Sequence, residues 1–365
     1  MIAGLTFCIW LYLILAHGKF WLSSPELPAA VPQQCPDVDI VVAARDEAET
    51  IGAAIVSLLG QDYRGKFRLV LVDDNSSDGT AALAGVDSKL CVIRLESKPA
   101  GWSGKLWALR HGVAAGNAPM VLLADADIVH DARHVSSLVA HMLGTEVDMV
   151  SEMVRLNCTS FAERALVPAF VYFFQMLYPF SRVNDPRSSV AAAAGGTVLI
   201  RRQALQRIGG FDAIKNSMID DVALARAVKR GGAVYLGHGA LAHSIRRYPR
   251  FADLWNLISR TAFTQLRHSP MLLAMTLGGL ALIWLAPLAE VLLGHGLGFG
   301  FGLAAFTLAA ATYLPTLARY GRNPLWSLAL PLIALFYMAA TLGSAVDHWR
   351  GKGVNWKSRA YGAGA

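Results

Sequence analysis

The charged residues of this chain are concentrated in its middle, and this distribution constrains the fold more than any single motif. Of 365 residues, 54% are hydrophobic and only 16% are charged, and most of the charges lie between positions 37 and 270. Soluble domains average about 25% charged residues, so the two apolar ends are predicted to lie in a lipid bilayer. The pattern excludes a disordered chain, a purely transmembrane transporter and a secreted disulfide scaffold.

Net charge and cysteine content indicate the surroundings of the chain. The formal net charge of +7 favours contact with an anionic membrane surface. Nucleic acid is not predicted as a partner, because no basic run interleaves with aromatic residues. The four cysteines lie far apart and form no CxxC motif, so neither a zinc site nor a disulfide framework is predicted. A reducing compartment is the simplest interpretation.

Residues 1–22 are predicted to form a transmembrane anchor. They contain about 20 nearly apolar positions, which is enough to cross a hydrocarbon core of about 30 Å. A cleaved signal peptide is the alternative. It needs a charged segment before the apolar core and a small-x-small cleavage site after it, and neither is evident.

Residues 271–346 are predicted to form about three transmembrane helices, followed by a basic tail over residues 347–365. Lys19, Arg319 and the basic stretch 246–267 predict which loops face the cytoplasm. The protein is therefore expected to be a multi-pass protein of the inner (cytoplasmic) membrane whose middle domain faces the cytoplasm. Three spans would place the basic tail on the opposite side, so an interfacial or re-entrant segment is the alternative.

Two further apolar patterns lie within the middle domain. Residues 166–180 are too short to span a membrane and contain Pro168, so a buried core helix and an interfacial helix both stay open. From Phe251 to Ala262, apolar residues recur at three- and four-residue intervals, which predicts an amphipathic helix. Its apolar face is expected either at the membrane surface or against the middle domain.

The middle domain, residues 37–270, is predicted to alternate strands and helices. Continuous apolar runs typical of buried parallel strands cover 39–44, 67–72 and 120–124, and an acidic cluster follows each of them. Such an α/β fold collects ligands at the carboxyl ends of its strands. No GxGxxG motif follows a strand, and residues 101–106 lack the spacing of a P-loop. A dinucleotide oxidoreductase or a P-loop NTPase is therefore not predicted.

The acidic clusters predict a nucleotide site built from carboxylates. Asp125 and Asp127 can bind one divalent cation, Mg²⁺ or Mn²⁺, whose other ligands are diphosphate oxygens and water. Asp73 and Asp74 can accept hydrogen bonds from a base or a ribose. A helix cap with an Asx turn is the alternative for this acidic run.

Six segments follow one another in the order VVAARDEAE, VDDNSSDGT, GKLWALRHG, LLADADI, AGGTVLIRRQALQRIGGFD and IDDVALA. Over roughly residues 38–245 this succession resembles one enzyme family, the inverting family 2 glycosyltransferases of GT-A fold. The apolar ends and the PAGWSGKLWAL segment are similar to the membrane-bound ceramide glucosyltransferase-like branch. Within that branch, the chain looks closest to the hopanoid (hopene)-associated glycosyltransferases.

The resemblance implies roles for particular residues. Glu47 and Asp73 would hold the base and ribose of the donor, with Asp74 nearby, and Lys105 would face the diphosphate. Asp125 would contact the donor and, with Asp127, would bind the metal.

The resemblance also implies the catalytic residues. Asp221 takes the place of the family's catalytic base, preceded by Asp220, and a predicted helix start at Asp221 would help to keep it ionised. Gly195 and Gly196 are candidate contacts for the acceptor or a phosphate.

Several positions depart from the family pattern. Arg110 stands where the family has an amide, and Asp220 where it has a glutamate. The downstream Gln/Arg-x-x-Arg-Trp motif is only partly matched by Arg260, Gln265 and Arg267, which argues against a processive polymerase.

Three histidines lie outside the segments that carry the resemblance. His243 is either a third metal ligand or an ordinary surface or core residue. His130 and His134 are predicted to be solvated.

The leading hypothesis is transfer of one sugar from a nucleotide diphosphate sugar, expected to be a UDP-sugar, to a hydroxyl of a membrane lipid. The resemblance implies a hopanoid or a related polycyclic isoprenoid as acceptor, with the lipid bilayer as the protein's surroundings. Two alternatives remain. One is a polyprenyl-phosphate sugar synthase, whose acceptor needs no general base, and the other is a non-catalytic membrane scaffold with a degenerate GT-A domain.

Overall fold

The computed structural model describes residues 1–351, 354–356 and 359–361. Lys352 and Lys357 of the predicted basic tail lie outside the described residues. The described chain divides into two compact units, which we name by their content. The sheet unit contains residues 24–157 and 182–247. The helical unit contains residues 1–23 and 158–181 together with the described residues from Tyr248 to Tyr361.

The sheet unit is built on one mixed sheet of eight strands in the order β3-β2-β1-β4-β7-β6-β8-β5. Its strands are β1 Val38–Ala44, β2 Phe67–Asp73, β3 Leu90–Arg94, β4 Met120–Asp125, β5 Ile128–His130, β6 Met149–Arg155, β7 Thr197–Arg201 and β8 Val234–Ser244. β1 pairs in parallel with β2 and β4, whereas β7 runs antiparallel to both β4 and β6. β8 is parallel to β6, so β1, β2, β4, β6 and β8 all point to the same edge of the sheet.

The helices of the sheet unit cover the strands on both faces. They are α2 Ile51–Leu59, α3 Thr80–Leu83, α4 Gly104–Ala114, α5 His134–Thr145, α7 Phe180–Asn184, α8 Arg202–Arg207 and α9 Asp220–Lys229. The continuous apolar runs that predicted strands do form strands. Their residues Ile40, Leu69 and Leu122 are fully buried, as expected for a sheet covered on both faces. Gly112 lets α4 approach β1 and β2 closely, because a Cβ there would collide with Val41.

The helical unit contains the predicted membrane segments. Its helices are α1 Ile2–Leu15, α6 Phe161–Leu177, α10 Phe251–Gln265, α11 Pro270–Leu280, α12 Ala286–Leu293, α13 Gly296–Arg319 and α14 Leu330–Trp349. Among the described residues, three helical stretches are long and apolar enough to cross a membrane. They are Pro270–Leu293, Gly296–Arg319 and Pro324–Trp349. Two short strands, β9 Val354–Trp356 and β10 Arg359–Tyr361, pair antiparallel near the C-terminus.

The N-terminal helix is shorter than the predicted anchor. α1 has 14 residues, about 21 Å of helix, and ends at Leu15 before the left-handed residues Gly18 and Lys19. It packs inside the helical unit, where Trp10 Nε1 donates a hydrogen bond to the carbonyl of Ile283 at 2.9 Å. Pro287 has no N–H to bond that carbonyl four residues earlier, so Trp10 satisfies it instead.

The helical unit also takes two segments that the sequence assigned to the middle domain. α6, which covers most of the 166–180 stretch, is bonded to the C-terminal helices, since Tyr337 OH donates to the carbonyl of Leu166 at 2.8 Å. α10 is amphipathic as predicted and lies against α14, where Phe263 N–H donates to Ser344 Oγ at 3.1 Å. Apolar spacing alone does not tell which apolar surface a helix will meet.

Candidate active site

The carboxyl ends of the parallel strands bring the acidic clusters together at one edge of the sheet. Ala44 ends β1 beside Asp73 of β2, and Ala43 lies opposite Asp125 of β4. β7 begins at this edge because it runs antiparallel to β4, and Asp125 N–H donates to the carbonyl of Gly196 at 3.2 Å. The sequence prediction that all three acidic clusters meet at this edge is borne out by the strand register.

Lys105 lies at the centre of one cluster of this edge. Ser103 caps the start of α4 by accepting a hydrogen bond from Leu106 N–H at 3.2 Å, which places Lys105 in the first helical turn. Its Nζ lies 2.8 Å from Asp125 Oδ1 and 3.3 Å from Asp220 Oδ2. Burial would lower the pKa of Lys105, but the two carboxylates outweigh it and raise that pKa, so the amine stays protonated.

Asp221 faces the same cluster from the first turn of α9. Its Oδ2 accepts a hydrogen bond from Gly195 N–H at 2.9 Å. A Cβ on Gly195 would lie 3.3 Å from both Asp221 Oδ2 and Lys105 Nζ, so the glycine keeps this approach open. Burial, and then the neighbouring carboxylate of Asp220, raise the pKa of Asp221 to about 7. From the predicted helix start, Asp221 was expected to be ionised. Burial instead raises its pKa, so that the carboxyl ionises near neutral pH.

Arg246 organises a second cluster on the same edge. Its Nη2 lies 2.6 Å and 2.7 Å from the two carboxylate oxygens of Glu47, and its Nε donates to Asp127 Oδ2 at 2.9 Å. Ser244, the last residue of β8, donates its hydroxyl hydrogen to the same Asp127 oxygen at 3.0 Å. The strand order therefore joins residues that are about 200 positions apart in the sequence.

Asp73 and Asp74 are buried at the end of β2. Asp73 Oδ1 accepts hydrogen bonds from the backbone N–H of Ser76, at 3.1 Å, and from its hydroxyl. The Asx turn predicted as an alternative lies at the end of this acidic run, where Asp78 Oδ1 accepts the backbone N–H of Thr80 at 3.0 Å. The contact of Asp73 with a base or ribose stays a prediction.

The donor set suits a hard divalent cation held by two protein carboxylates. Burial raises the pKa of Asp125, Lys105 opposes this, and the nearby carboxylate of Asp127 raises it further, so the two acids lie close enough to repel each other. Among the described residues, no group of three His, Cys, Asp or Glu side chains is arranged to hold a metal. Magnesium-type sites commonly use one or two carboxylates and take their other ligands from substrate phosphates and water.

The fold does not bring His243 to Asp125 and Asp127, the proposed metal ligands. It is exposed on β8, whereas the next residue, Ser244, is buried and contacts Asp127. Successive side chains of a strand point to opposite faces, so the His243 side chain lies on the other face of β8.

His130 and His134 are buried, and the prediction that they are solvated is wrong. His134 Nε2 lies 2.5 Å from Glu152 Oε2, and the Nδ1 atoms of the two histidines are 2.8 Å apart. Burial lowers the pKa of His130, which therefore stays neutral at physiological pH. The two histidines lie four positions apart, and the strand pairing that buries them is not evident in local sequence.

The remaining candidates lie elsewhere. Arg260, Gln265 and Arg267 belong to the helical unit, where Gln265 Nε2 donates to Tyr178 OH at 2.5 Å. Arg110 forms an exposed ion pair with Asp212 at 3.1 Å and does not contact the acidic edge.

Sequence reasoning missed Arg246 as a site residue. It assigned the basic stretch containing Arg246 to the membrane surface, and the local composition gave no reason to separate this arginine from its neighbours. The usable signal was the length of β8. A strand that runs on to Ser244, parallel to β6, must deliver residue 246 to the acidic edge.

Comparisons with known proteins show which family and which fold the chain resembles. Residues 39–209 match the family described as Glycosyl transferase family 2. The chain is 23% identical over 225 residues to the probable glycosyltransferase YdaM of Bacillus subtilis, covering 60% of this chain and 50% of that protein. It is 28% identical over 193 residues to an N-acetylglucosaminyltransferase of Azorhizobium caulinodans, covering 50% of this chain and 45% of that protein. The chain thus spans about half the length of these curated relatives.

A solved structure gives the fold. The mannosyltransferase PcManGT from Pyrobaculum calidifontis, in complex with GDP-Man and Mn²⁺, matches with a TM-score of 0.55 at 20% identity. The match covers 94% of this chain and 99% of that chain. At this identity the likeness is one of fold. The chain therefore has the GT-A fold, and its residues 39–209 are similar to the family 2 glycosyltransferase domain.

Proposed function

We propose that the protein transfers one sugar from a nucleotide diphosphate sugar, a UDP-sugar, to a hydroxyl of a membrane lipid and inverts the anomeric configuration. The observation that carries the proposal is the convergence of Asp125, Asp220, Asp221 and Gly195 on Lys105 at the carboxyl edge of the sheet. This edge carries a protonated amine for a diphosphate and a carboxylate that ionises near neutral pH, the two groups that the reaction needs.

The donor is proposed to bind across both clusters. Glu47 and Asp73 would accept hydrogen bonds from the base and ribose, with Asp74 supporting them, and Lys105 would face the diphosphate. Asp125 and Asp127 would hold Mg²⁺ or Mn²⁺, which when bound neutralises charge on the departing diphosphate. The solved mannosyltransferase with GDP-Man and Mn²⁺ supports this class of donor and cation.

Asp221 is proposed as the general base. Its carboxylate removes the proton of the acceptor hydroxyl while the hydroxyl oxygen attacks the anomeric carbon from the side opposite the diphosphate. The bond from that carbon to the diphosphate oxygen breaks, and the diphosphate leaves with the electron pair. The Gly195 N–H holds the Asp221 carboxylate in place, and a pKa of about 7 makes it half ionised at neutral pH. The charge of Lys105 favours that ionised form.

The acceptor is proposed to be a lipid. Three helical stretches of 24, 24 and 26 residues are apolar enough to span a bilayer, which supports an acceptor that never leaves it. The resemblance to the hopanoid-associated branch supplies the lipid class, a polycyclic isoprenoid with a free hydroxyl. The basic loops support an inner-membrane protein whose sheet unit faces the cytoplasm, where nucleotide sugars are made.

The test compares the lipids of a deletion strain with those of its parent by mass spectrometry. The parent should contain a lipid heavier by one sugar residue that the deletion strain lacks. The parental chain should restore this lipid, and an Asp221→Asn chain produced at the same level should not. Identical lipids in parent and deletion strain would contradict the proposal.

The orientation has its own test, in which single cysteines are introduced into a chain freed of its four native cysteines. A cysteine at Asp87 should be protected from an impermeant thiol reagent in intact cells. A cysteine at His295, in the exposed loop before α13, should react. Labelling at position 87 would overturn the proposed orientation.

A further inference from the structure

One guanidinium binds both carboxylates that the proposed function assigns to opposite parts of the donor. Arg246 contacts both oxygens of Glu47 and one oxygen of Asp127, at 2.6 to 2.9 Å. The Glu47 and Asp127 side chains are 9% and 13% exposed, so these contacts are well shielded from solvent. Ser244 strengthens the arrangement, since its hydroxyl donates to Asp127 Oδ2 and accepts the Arg246 backbone N–H at 3.2 Å.

The arginine and a bound donor would use the same oxygens. A cation coordinated by Asp127 and a guanidinium bonded to Asp127 Oδ2 repel each other, and a base held by Glu47 needs oxygens that Arg246 occupies. Charge on Arg246 therefore opposes metal binding before the donor arrives. Without it, two shielded carboxylates would lack their principal counter-ion, which is costly.

We propose that Arg246 is a displaceable counter-ion of Glu47 and Asp127 that competes with the donor and its cation for these two carboxylates. It releases Asp127 when the divalent cation binds and releases Glu47 when the nucleotide binds, and the freed guanidinium then pairs with the diphosphate. The inference rests on the proposed function, because it takes Asp127 as a metal ligand and Glu47 as a nucleotide contact.

This arrangement couples the two ligands. The guanidinium is held by two carboxylates at once, so a cation that displaces it from Asp127 also weakens its hold on Glu47. The nucleotide then meets less competition, and by reciprocity bound nucleotide favours the cation. The diphosphate adds to this coupling because it offers the displaced arginine a new anion. Arg246 thereby disfavours binding of the metal alone and favours binding of the metal together with the donor.

The test measures binding of Mn²⁺ alone to the purified full chain in detergent, by electron paramagnetic resonance of free Mn²⁺. Arg246→Gln should bind Mn²⁺ about tenfold more tightly than the parent, since one opposing charge at hydrogen-bond range shifts a carboxylate equilibrium by about that factor. Arg246→Lys keeps the charge but has one nitrogen in place of the Nη2 that contacts Glu47 and the Nε that contacts Asp127, and it should fall between the two.

Arg247→Gln is the matched control. It removes the same charge from the next residue, which is exposed, and Mn²⁺ affinity should stay within about twofold of the parent. Unchanged or weaker Mn²⁺ binding in Arg246→Gln would overturn the inference. So would equal tightening in Arg247→Gln, because the effect would then be one of general charge.

A second measurement separates this inference from the proposed metal site. Asp127→Asn should weaken Mn²⁺ binding in both the parent and the Arg246→Gln background. If it changes neither, or if none of the proteins binds Mn²⁺, the metal assignment fails and the inference fails with it. If Asp127→Asn weakens binding and Arg246→Gln does not tighten it, only the inference fails. Saturating UDP should also tighten Mn²⁺ binding more in the parent than in Arg246→Gln.

Discussion

Two basic side chains organise the same edge of the sheet in different ways. Lys105 contacts Asp125 and Asp220 and also lies near Asp221, so one positive charge faces three carboxylates. Arg246 contacts the two carboxylates of Glu47 and Asp127 through different nitrogens of its guanidinium. The first cluster keeps an excess of negative charge, whereas the second is more nearly neutralised.

From this difference in charge balance we infer different roles for the two clusters, one in the reaction and one in binding. In the Lys105 cluster the uncompensated charge, together with burial, raises the pKa of Asp221 to about 7, which suits a base that must take a proton at neutral pH. In the Arg246 cluster the carboxylates accept hydrogen bonds from the guanidinium, and the proposed function assigns them to ligand binding. We therefore expect changes at Asp220 and Asp221 to act on turnover and its pH dependence. Changes in the second cluster, and at Asp125, which the proposal also assigns to the metal, are expected to act on binding.

The largest effect is expected for Asp221→Asn. The amide cannot accept the acceptor proton, so sugar transfer to a lipid hydroxyl should fall by about 10²- to 10⁴-fold while UDP affinity stays near that of the parent. Turnover is measured with radiolabelled donor and lipid extract, and UDP affinity by calorimetry. Near-parental turnover with a hydroxyl acceptor would exclude Asp221 as the base. Such turnover with a polyprenyl phosphate would favour the alternative synthase.

The next effect concerns the metal. Asp125→Asn and Asp127→Asn should each lower Mn²⁺-dependent UDP affinity by about 10- to 100-fold, since each removes one of two proposed protein ligands. UDP affinity without metal should change much less. Calorimetric titrations with and without Mn²⁺ check this, and equal metal dependence in the parent and both variants would refute the assignment.

A smaller effect, with opposite signs in two variants, tests the Lys105 cluster. A base must be ionised, so kcat/KM should fall as the pH drops below about 7, where Asp221 becomes protonated. Asp220 raises the pKa of Asp221 and Lys105 lowers it. Asp220→Asn should therefore move this acid limb to lower pH and Lys105→Gln to higher pH, each by about one unit. Shifts in the same direction would contradict the arrangement.

The smallest effect is expected at Arg110, the departure from the family pattern. Its ion pair with Asp212 is exposed and lies outside both clusters, and such pairs contribute about 0–1 kcal/mol. Arg110→Asn, which restores an amide, should leave kcat/KM within about threefold of the parent. A loss of tenfold or more in a steady-state assay would show that Arg110 acts on the reaction.

The sequence predicted the parts of this site that depend on local pattern. Asp73 and Asp125 end continuous apolar runs, and such runs become parallel strands whose carboxyl ends share an edge. Asp221 was found through motif order, and its position at the start of α9 agrees with the helical spacing that follows it.

Features that depend on strand order were not accessible in the same way. Arg246 reaches Glu47 only because β8 runs on to Ser244 beside β5, and His134 is buried only because Glu152 of β6 lies beneath it. The helix α6 and the helix α10 looked like parts of the middle domain because spacing reveals an apolar face without revealing its partner. Each of these features depends on contacts between segments that are far apart in the sequence.

We propose that the acidic edge binds a nucleotide diphosphate through a divalent cation on Asp125 and Asp127. Anomalous diffraction at the manganese edge, from crystals grown with Mn²⁺ and UDP, tests this directly. We expect one manganese peak within about 2.5 Å of carboxylate oxygens of both residues, with the diphosphate on its other side and Arg246 released from Asp127. A UDP complex in which manganese lies elsewhere, or in which Arg246 still bonds Asp127, would contradict it.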